Sequence, residues 1–253
     1  MYPVICRIGP LTVFSYGLML ALAVVVCGWF LAREARAHQI RPDEIYDLIF
    51  WTVIAGIIGA RLFFIVLNLS FFLRNPLEIF MVHHGGLAVQ GGLLLGGAAA
   101  IIFIRRKGWS FCFMADLIAP YLALGHAIGR IGCFLNGCCY GRQVGWGVYF
   151  PVHDAHLHPT QLYASAALLV IFFVLRFSRR SALRPGSVFA LYMILYAVQR
   201  FFIEFFRADH DQWTAGLSVF QWISLVIFIV GSGLLFYLNK RGARGDLSSH
   251  SRG

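Results

Sequence analysis

Five charged residues stand in hydrophobic stretches of the chain, where a charge needs a specific reason. Arg61, Asp116, Arg130, Arg200 and Glu204 each lie within or at the end of a long apolar run. At the centre of a bilayer, one such charge costs at least about 2.5–3.5 kcal/mol. Charges of this kind face partners in the protein interior and by default mark functional sites. They are therefore the first candidates for chemistry.

Two of these charges share a face of one predicted helix, and a third charged residue extends it. Arg200 and Glu204 are four residues apart and share a helix face, which Arg207 extends. One interpretation is structural, with buried ion pairs that fix the helix register. The alternative is an anion site, because the nearby carboxylates are too few to neutralise Arg61, Arg130 and Arg200. In a bilayer the abundant anion is a lipid phosphate, whose oxygens suit the planar, permanently charged guanidinium group.

Paired glycines precede and enter the third predicted span. They are Gly85, Gly86, Gly91, Gly92, Gly96 and Gly97. Close helix packing through small residues is the favoured interpretation for the later pairs. From Gly85 to Gly92 a second interpretation is backbone close to a ligand, because irregular backbone at membrane depth is tolerated where it lines a cavity.

The chain is too apolar for an ordinary soluble domain. Of its 253 residues, 59% are hydrophobic and 13% are charged, against about 45–50% and about 25% in average soluble proteins. The sequence predicts an all-α integral membrane protein with about seven transmembrane helices. The predicted spans are 11–32, 47–69, 88–104, 112–135, 160–177, 187–206 and 217–238. The first is interpreted as a retained span rather than a signal peptide, because no basic segment precedes it.

Positive charge marks one side of the predicted spans. The net charge is +10, which in a soluble protein would favour nucleic acid as a partner. Here most Lys and Arg residues fall in alternate gaps between the spans and in the tail after the last one. The positive-inside rule explains this pattern. The sequence therefore predicts no nucleic-acid partner, an N-terminus on the periplasmic or outer side, and a cytoplasmic C-terminus.

The whole chain, 1–253, is predicted to be a single polytopic membrane domain. The gap at 70–87 is apolar but interrupted by charges and a proline, which is typical of a segment lying along the outer membrane interface. The gap at 136–159 is rich in Gly, His and aromatic residues and predicts a small ordered cap on the outer face. A cytoplasmic tail is expected at about 239–253.

Three cysteines, Cys133, Cys138 and Cys139, stand near the end of the fourth predicted span. The histidines that follow them are His153, His156 and His158. A metal site is one interpretation, but the spacing matches no paired C-x2-C zinc pattern. A disulfide on the oxidising outer face and a covalent enzyme intermediate are two others. The favoured interpretation is that the cysteines are small, packed residues.

An ordered set of motifs resembles the prolipoprotein diacylglyceryl transferase family. The longest is HAIGRIGCFLNGCCYGR at 126–142. Shorter matches are SYGLM at 15–19, GAR at 59–61, GGL at 85–87 with GG at 91–92, HPTQLY at 158–163, and YAVQRFFIEFFR at 196–207. Each motif alone is weak evidence for the family. The whole set follows the family order across about 16–207 and is therefore specific to it.

The resemblance implies an activity and a location. Family members transfer the diacylglyceryl group of phosphatidylglycerol to the lipobox cysteine of a prolipoprotein, forming a thioether and releasing glycerol phosphate. This is the first step of bacterial lipoprotein maturation, in the cytoplasmic (inner) membrane. The implied partners are phosphatidylglycerol, prolipoprotein signal peptides and membrane lipid, with no metal and no organic cofactor. The alternatives are a paralogous lipid transferase with another acceptor and a transporter of anionic substrates.

Four positions depart from the family pattern. Gln90 stands where many members have a histidine, and glutamine cannot accept a proton at neutral pH. Cys133 and Cys138 stand where many members have asparagine and glutamate, and Ala164 replaces an acidic residue. Gln90 weakens any mechanism with a histidine base at that position and keeps the paralogue alternative open.

The predicted chemistry is displacement at a primary carbon of the lipid glycerol by a cysteine thiolate. Fixed arginines in a low-dielectric site favour the thiolate and neutralise charge on the departing phosphate. The predicted catalytic residues are Arg130 and Arg200 as a phosphate clamp, Glu204 holding Arg200, and His126, with His158, water or phosphate as other bases. The predicted substrate-binding residues are Tyr16, Arg61, Gly85, Gly86, Gln90, Gly91, Gly92, Cys133, Asn136, Gly141, His158, Tyr196 and Arg207. Among the arginines, Arg61 is the lesser candidate and is expected mainly to support structure.

Overall fold

The computed structural model describes residues 1–8, 11–79, 81, 85–180, 184–208 and 216–250, without side chains at 8, 11 and 241–250. Its helices are α1 (Ser15–Arg36), α2 (Pro42–Leu67), α3 (Leu69–Arg74), α4 (Val89–Arg106), α5 (Phe111–Asn136), α6 (Thr160–Ser178), α7 (Ser187–Glu204) and α8 (Val219–His250). A 3-10 helix covers Pro76–Ile79. The strands are β1 (Val4–Ile8), β2 (Leu11–Phe14), β3 (Gln143–Phe150) and β4 (Ala155–Leu157).

Seven of the described helices are long and apolar enough to cross a membrane. They are α1, α2, α4, α5, α6, α7 and the Val219–Lys240 part of α8. Large apolar side chains on these helices face outward, such as Leu93 at 73% and Val170 at 62% exposure. So much exposed apolar surface would associate in water, but in lipid it is solvated. The predicted multi-pass, all-α membrane architecture is confirmed, and the side that each terminus faces stays a prediction.

The structure corrects one predicted element and adds secondary structure to two others. The first helix does not begin at residue 11, because Leu11–Phe14 forms a strand antiparallel to β1. The predicted cap at 136–159 contains an antiparallel hairpin of β3 and β4, which the sequence did not predict. The last helix continues to His250, through most of the predicted tail.

Two compact units make up the described chain, and each is described by itself. The larger unit contains Met1–Trp29 and the chain from Ala115 onward, and the smaller unit is Phe30–Met114. In the larger unit, alanines at four-residue spacing on α5 pack against leucine and isoleucine side chains of α6 and against α7. These core residues are Ala119, Ala123, Ala127, Leu168, Ile171, Leu175 and Val188. Small residues on α5 let the helix backbones approach closely.

The intramembrane carboxylate of Asp116 has a structural place in the larger unit. It accepts hydrogen bonds from the backbone N–H groups of Gly186 at 2.6 Å and Phe189 at 2.7 Å, at the start of α7. These N–H groups have no partner within the helix, and a carboxylate there also suits the helix dipole. Asp116 therefore anchors α7 to α5.

Glycines bring α2 and α4 together in the smaller unit. A Cβ added to Gly91 would overlap the backbone oxygen of Gly59, and one added to Gly92 would lie 3.2 Å from the oxygen of Gly56. The backbone N–H of Ala88 donates to the carbonyl of Ala60 at 3.0 Å. For Gly91 and Gly92 this geometry supports the helix-packing interpretation.

Candidate active site

The charged stripe of α7 forms a buried network in the larger unit. Arg200 is 8% exposed and Glu204 is 1% exposed. Nη2 of Arg200 lies 2.7 Å from Oε2 of Glu204, and Nε of Arg207 lies 3.9 Å from the same oxygen. The guanidinium carbon of Arg200 lies 4.8 Å from the ring centroid of Phe220. One buried carboxylate therefore pairs with two guanidinium groups.

Ser218 completes the surroundings of Glu204. Its hydroxyl donates to Oε1 of Glu204 at 3.0 Å. Ser218 precedes α8, where the N–H of Gln221 donates to the Ser218 hydroxyl at 3.2 Å and the N–H of Ser218 donates to Oε1 of Gln221 at 2.9 Å. This reciprocal pair is a capping box. Ser218 was not among the predicted site residues, although the S-x-x-Q pattern at 218–221, before an apolar run, is a signal for such a cap.

Arg130 joins this network from α5. It interacts electrostatically with Arg200, and both arginines interact with His126. The ring of His126 lies 5.5 Å from that of Tyr196 on α7. Nε of Arg130 and Nη1 of Arg200 are buried, and neither has a hydrogen-bond acceptor in the described part of the chain. Because a buried N–H without an acceptor is costly, these two donors favour an added anion.

A polar cavity borders the same network. Its volume is about 320 Å³, and Arg142, Gln143, Glu204, Arg207, Ser218 and Gln221 are among its lining residues. The cavity therefore places polar space beside the carboxylate that orients Arg200. Its lining suits a hydrated anionic group rather than an acyl chain.

Three thiols meet where α5 ends. The Sγ atoms of Cys133, Cys138 and Cys139 all lie within 4.8 Å of one another. Helix α6 fixes the loop, because Nε2 of Gln161 donates to the carbonyl of Cys138 at 2.6 Å and the hydroxyl of Thr160 donates to that of Cys139 at 2.7 Å. The spacing in the sequence did not predict this convergence, which depends on the turn after α5.

Cationic and polar side chains surround the thiols. Hydrogen bonds from the thiols of Cys133 and Cys138, followed by the positive charges of Arg207 and Arg130, lower the pKa of the Cys139 thiol. The side chain of Asn136 hydrogen-bonds to Cys138.

The ring of Tyr16 lies beside the same segment. It comes within 3.4 Å of the position where a Cβ on Gly132 would stand, and its hydroxyl interacts electrostatically with all three thiols. Tyr16 is 41% exposed. The structure therefore brings Tyr16 and Asn136 together with the thiols.

Gly141 and His158 join the cap to the end of α7. The N–H of Gly141 donates to the carbonyl of His158 at 2.9 Å, and the N–H of Arg142 donates to that of Phe206 at 2.8 Å. A Cβ on Gly141 would lie 2.5 Å from the Phe206 oxygen, so only glycine fits there. The ring of His158 lies 4.9 Å from that of Trp146 and 5.5 Å from that of Phe206.

Arg61 occupies a different environment, in the smaller unit. Its Nε donates to the carbonyl of Ile79 at 3.1 Å, and Nη1 donates to those of Gly85 at 2.6 Å and Gly86 at 3.1 Å. Nη2 donates to the carbonyls of Glu78 and Met81. A guanidinium has five N–H donors, and all five are used by backbone.

The loop that Arg61 binds requires glycine. Gly85 has φ +89° and Gly86 has φ +79°, a region that other residues rarely adopt. A Cβ on Gly86 would lie 3.0 Å from Nη1 of Arg61. Gln90 is exposed on α4. The predicted residues Arg61, Gly85, Gly86, Gln90, Gly91 and Gly92 therefore belong to the smaller unit, and the other predicted site residues belong to the larger one.

Comparison with known proteins agrees with the motifs. Residues 3–237 match the family described as prolipoprotein diacylglyceryl transferase. A relative from Clostridium tetani, named phosphatidylglycerol–prolipoprotein diacylglyceryl transferase, is 35% identical over 239 residues, which cover 91% of this chain and 95% of the relative. A relative with the same name from Thermosynechococcus vestitus is 36% identical over 248 residues, covering 93% and 92%. This chain therefore belongs to the prolipoprotein diacylglyceryl transferase family.

Proposed function

We infer that this chain is a phosphatidylglycerol–prolipoprotein diacylglyceryl transferase of the bacterial inner membrane. It moves the diacylglyceryl group of phosphatidylglycerol to the lipobox cysteine of a prolipoprotein, forms a thioether and releases glycerol phosphate. Family membership over residues 3–237 and seven helices able to span a membrane support this function. The observation that carries the site is the pair of buried guanidinium N–H groups, on Arg130 and Arg200, that have no acceptor among the described residues.

We propose that Arg130 and Arg200 bind the phosphate of phosphatidylglycerol. A phosphate oxygen supplies the acceptor that Nε of Arg130 and Nη1 of Arg200 lack. As the bond between the lipid carbon and the phosphate oxygen breaks, negative charge grows on the departing glycerol phosphate. Fixed cations in a low-dielectric site stabilise that charge without reorganisation.

Glu204 is proposed as a positioning residue for Arg200. Its Oε2 binds Nη2 of Arg200 at 2.7 Å, which fixes the guanidinium plane and leaves Nη1 for the ligand. Ser218 holds the other carboxylate oxygen. Since Glu204 neutralises only part of the positive charge of Arg200 and Arg207, the network keeps a net attraction for an anion.

The other predicted residues receive roles by their place in the fold. Tyr16 and Asn136 are proposed to contact the headgroup or the acceptor peptide near the thiols. His126 and Tyr196 form the wall beside the two arginines. Gly141 and His158 are proposed to support the cap rather than to contact substrate.

In the smaller unit, Arg61, Gly91 and Gly92 are proposed to be structural. The donors of Arg61 are all used by backbone carbonyls, and the two glycines pack against α2. Gly85, Gly86 and Gln90 remain proposed substrate contacts.

A direct transfer assay tests the proposed function. The purified protein in mixed micelles of phosphatidylglycerol and detergent is incubated with a lipobox peptide, and the peptide mass is measured. The expected product carries one diacylglyceryl group on the cysteine, with one glycerol phosphate released per peptide. A peptide with serine at the lipobox position is the matched control and gains no mass. An unchanged cysteine peptide under all conditions refutes the proposal.

A second test addresses the alternative of a paralogue with another acceptor, which Gln90 keeps open. The gene is expressed in a bacterium depleted of its own transferase. Restored growth and restored lipoprotein modification support the proposed acceptor. Peptide transfer in micelles without complementation would instead favour a different natural acceptor.

A further inference from the structure

The turn that ends α5 brings the side chains of Cys133 and Cys138 together. Gly137 leaves the helix in the left-handed conformation, at φ +76°. Its N–H donates to the carbonyl of Phe134 at 3.1 Å, and the N–H of Cys138 donates to that of Cys133 at 3.2 Å. These two bonds define a Schellman motif, in which the side chains of the two outer residues often contact each other. Cys133 and Cys138 occupy these outer positions, so the end of the helix pairs two thiols.

The distances between the sulfur atoms allow a disulfide. The Sγ atoms of Cys133, Cys138 and Cys139 all lie within 4.8 Å of one another. A change of χ1 rotamer moves a sulfur by about 3 Å, which is enough to form an S–S bond of about 2.05 Å. Cys138 and Cys139 do not suit each other, because neighbouring Cα atoms lie about 3.8 Å apart and a disulfide usually needs about 4.4–6.8 Å. Of the two remaining pairs, the Schellman motif favours Cys133 with Cys138.

We propose that Cys133 and Cys138 form a reversible disulfide, and that this modification controls how strongly the neighbouring Arg130 attracts the lipid phosphate. The oxidant is an external disulfide on the outer face, so the inference rests on the proposed function and on the predicted position of the cap. One cysteine thiolate attacks the external disulfide and displaces a thiolate, and the other cysteine then displaces the second. The chain loses two electrons and two protons, and the oxidant is reduced to two thiols.

The third thiol, on Cys139, connects the redox state to the arginines. In the dithiol state the thiols of Cys133 and Cys138 hydrogen-bond to the sulfur of Cys139 and, together with nearby positive charge, lower the pKa of its thiol. The other charged or titratable groups that act on this sulfur are Arg207, Arg130 and Tyr16. The reduced cluster therefore places negative charge on Cys139, beside Arg130.

Oxidation removes this negative charge. A disulfide has no S–H group, so Cys139 loses both thiol donors when Cys133 and Cys138 are joined. The pKa of the Cys139 thiol then moves back toward its ordinary value, and more of the thiol is protonated at neutral pH. Since an anion beside Arg130 opposes the approach of a second anion, the oxidised protein should bind phosphatidylglycerol more tightly than the reduced protein. The same Cys139 thiol can attack the disulfide and assist its reduction.

Peptide mapping tests the disulfide independently of activity. The purified protein is equilibrated in buffers of graded reduced-to-oxidised glutathione ratio, quenched with acid, alkylated and digested. A cross-link between Cys133 and Cys138 is expected in oxidising buffer and is expected to disappear in reducing buffer. A Cys6→Ser, Cys112→Ser protein, which lacks two exposed cysteines, should behave like the wild type, and Cys133→Ser should lose the cross-link. Alkylation of both thiols in every buffer, or a bond to Cys139 instead, overturns the proposal.

Lipid binding without acceptor peptide tests the consequence, because a lipobox thiol could itself reduce the disulfide. Binding of radiolabelled phosphatidylglycerol is measured in micelles of a zwitterionic detergent, with wild-type protein in the oxidised and in the reduced state. The oxidised protein is expected to bind about threefold or more tightly. Equal affinities, or tighter binding by the reduced protein, overturn the control of Arg130 by the disulfide.

The Cys139→Ser variant tests the route through the third thiol. It keeps Cys133 and Cys138, so the cross-link should still form, but its affinity for phosphatidylglycerol should no longer depend on the redox state. An affinity that still follows the redox state overturns the role of Cys139. A wild-type protein that forms the cross-link but transfers no diacylglyceryl group to the lipobox peptide in either state would count against the proposed function and leave the disulfide standing.

Discussion

Arginines with buried guanidinium N–H groups have opposite surroundings in the two units of the molecule. Around Arg61, five backbone carbonyls take all five donors of the guanidinium group. Around Arg130 and Arg200, the partners are one carboxylate and aromatic or cationic side chains, and one N–H on each arginine has no acceptor among the described residues. The same residue type therefore holds a loop in one unit and remains available to a ligand in the other.

The difference shows that burial of a charge does not by itself identify a site. Arg61 is 7% exposed and Arg200 is 8% exposed, so burial cannot separate them. The number of satisfied N–H donors separates them, because a guanidinium group whose donors all bind carbonyls has none left for a phosphate.

The largest effect is expected for the unsaturated arginines. Arg130→Ala or Arg200→Ala removes a phosphate-binding cation, so diacylglyceryl transfer should fall at least about 10³-fold, or about 4 kcal/mol in transition-state stabilisation. Lysine at either position keeps the charge but lacks the planar fork, so a loss of about 10²-fold is expected. The rate of peptide modification under subsaturating lipid is the measurement.

Membrane insertion and thermal unfolding in detergent are the controls for these variants. Membrane insertion should stay near wild type for both alanine variants. The unfolding midpoint should stay near wild type for Arg130→Ala, because the unpaired Nε–H contributes little to folding. It should fall for Arg200→Ala, because that change leaves the buried carboxylate of Glu204 without its partner at 2.7 Å. Turnover within a few-fold of wild type in a correctly inserted Arg200→Ala protein would contradict a phosphate-binding role for Arg200.

A stability effect is expected for the saturated arginine. Arg61→Ala leaves five partly buried backbone carbonyls without their donor, which should lower the free energy of unfolding by about 3 kcal/mol. Arg61→Lys keeps three donors, so its stability should lie between that of the wild type and that of Arg61→Ala. The measurement is the thermal unfolding midpoint of the purified protein. An Arg61→Ala protein with wild-type stability but no affinity for phosphatidylglycerol would show that Arg61 binds the ligand rather than the loop.

A smaller effect is expected where α2 meets α4. Gly91→Ala places a Cβ against the Gly59 backbone and should destabilise the protein by about 1–3 kcal/mol. Gly97→Ala is the matched control, because a Cβ there meets nothing within 4 Å and alanine favours the helix. The difference between the two unfolding midpoints is the measurement. Equal midpoints would argue against a packing role for Gly91.

The smallest effect is expected for Ser218→Ala. The change removes the cap of α8 and one hydrogen bond to Glu204, so a loss of about 1 kcal/mol in stability is expected. Because Arg200 still binds Glu204, transfer should fall only a few-fold, and Ser218→Thr should restore it. Thermal unfolding and initial rates measure the two effects. A loss as large as that of Arg200→Ala would mean that Ser218 contacts the substrate itself.

Much of the architecture was predictable, because the length of an apolar run indicates a membrane span and a charge within such a run needs a partner in the protein. The seven spans and the family are confirmed, and the i,i+4 spacing of Arg200 and Glu204 predicted their ion pair. The start of the first helix was wrong, since a β-branched and aromatic apolar segment at 11–14 suits a strand as well as a span. The hairpin in the cap also escaped prediction, although the apolar residues Val144, Trp146, Val148 and Phe150 stand at every second position of β3, which is the spacing of a strand.

The sequence by itself determined that this protein resides in a membrane, which family it belongs to, and which few charged residues are candidates for chemistry there. Composition and motifs carry that information locally, whatever the final packing. Only the tertiary structure decided which arginine is saturated and that Cys133, Cys138 and Cys139 converge. Both depend on the paths of loops and on backbone carbonyls, whose positions are set by packing across the fold rather than by neighbouring residues in the chain.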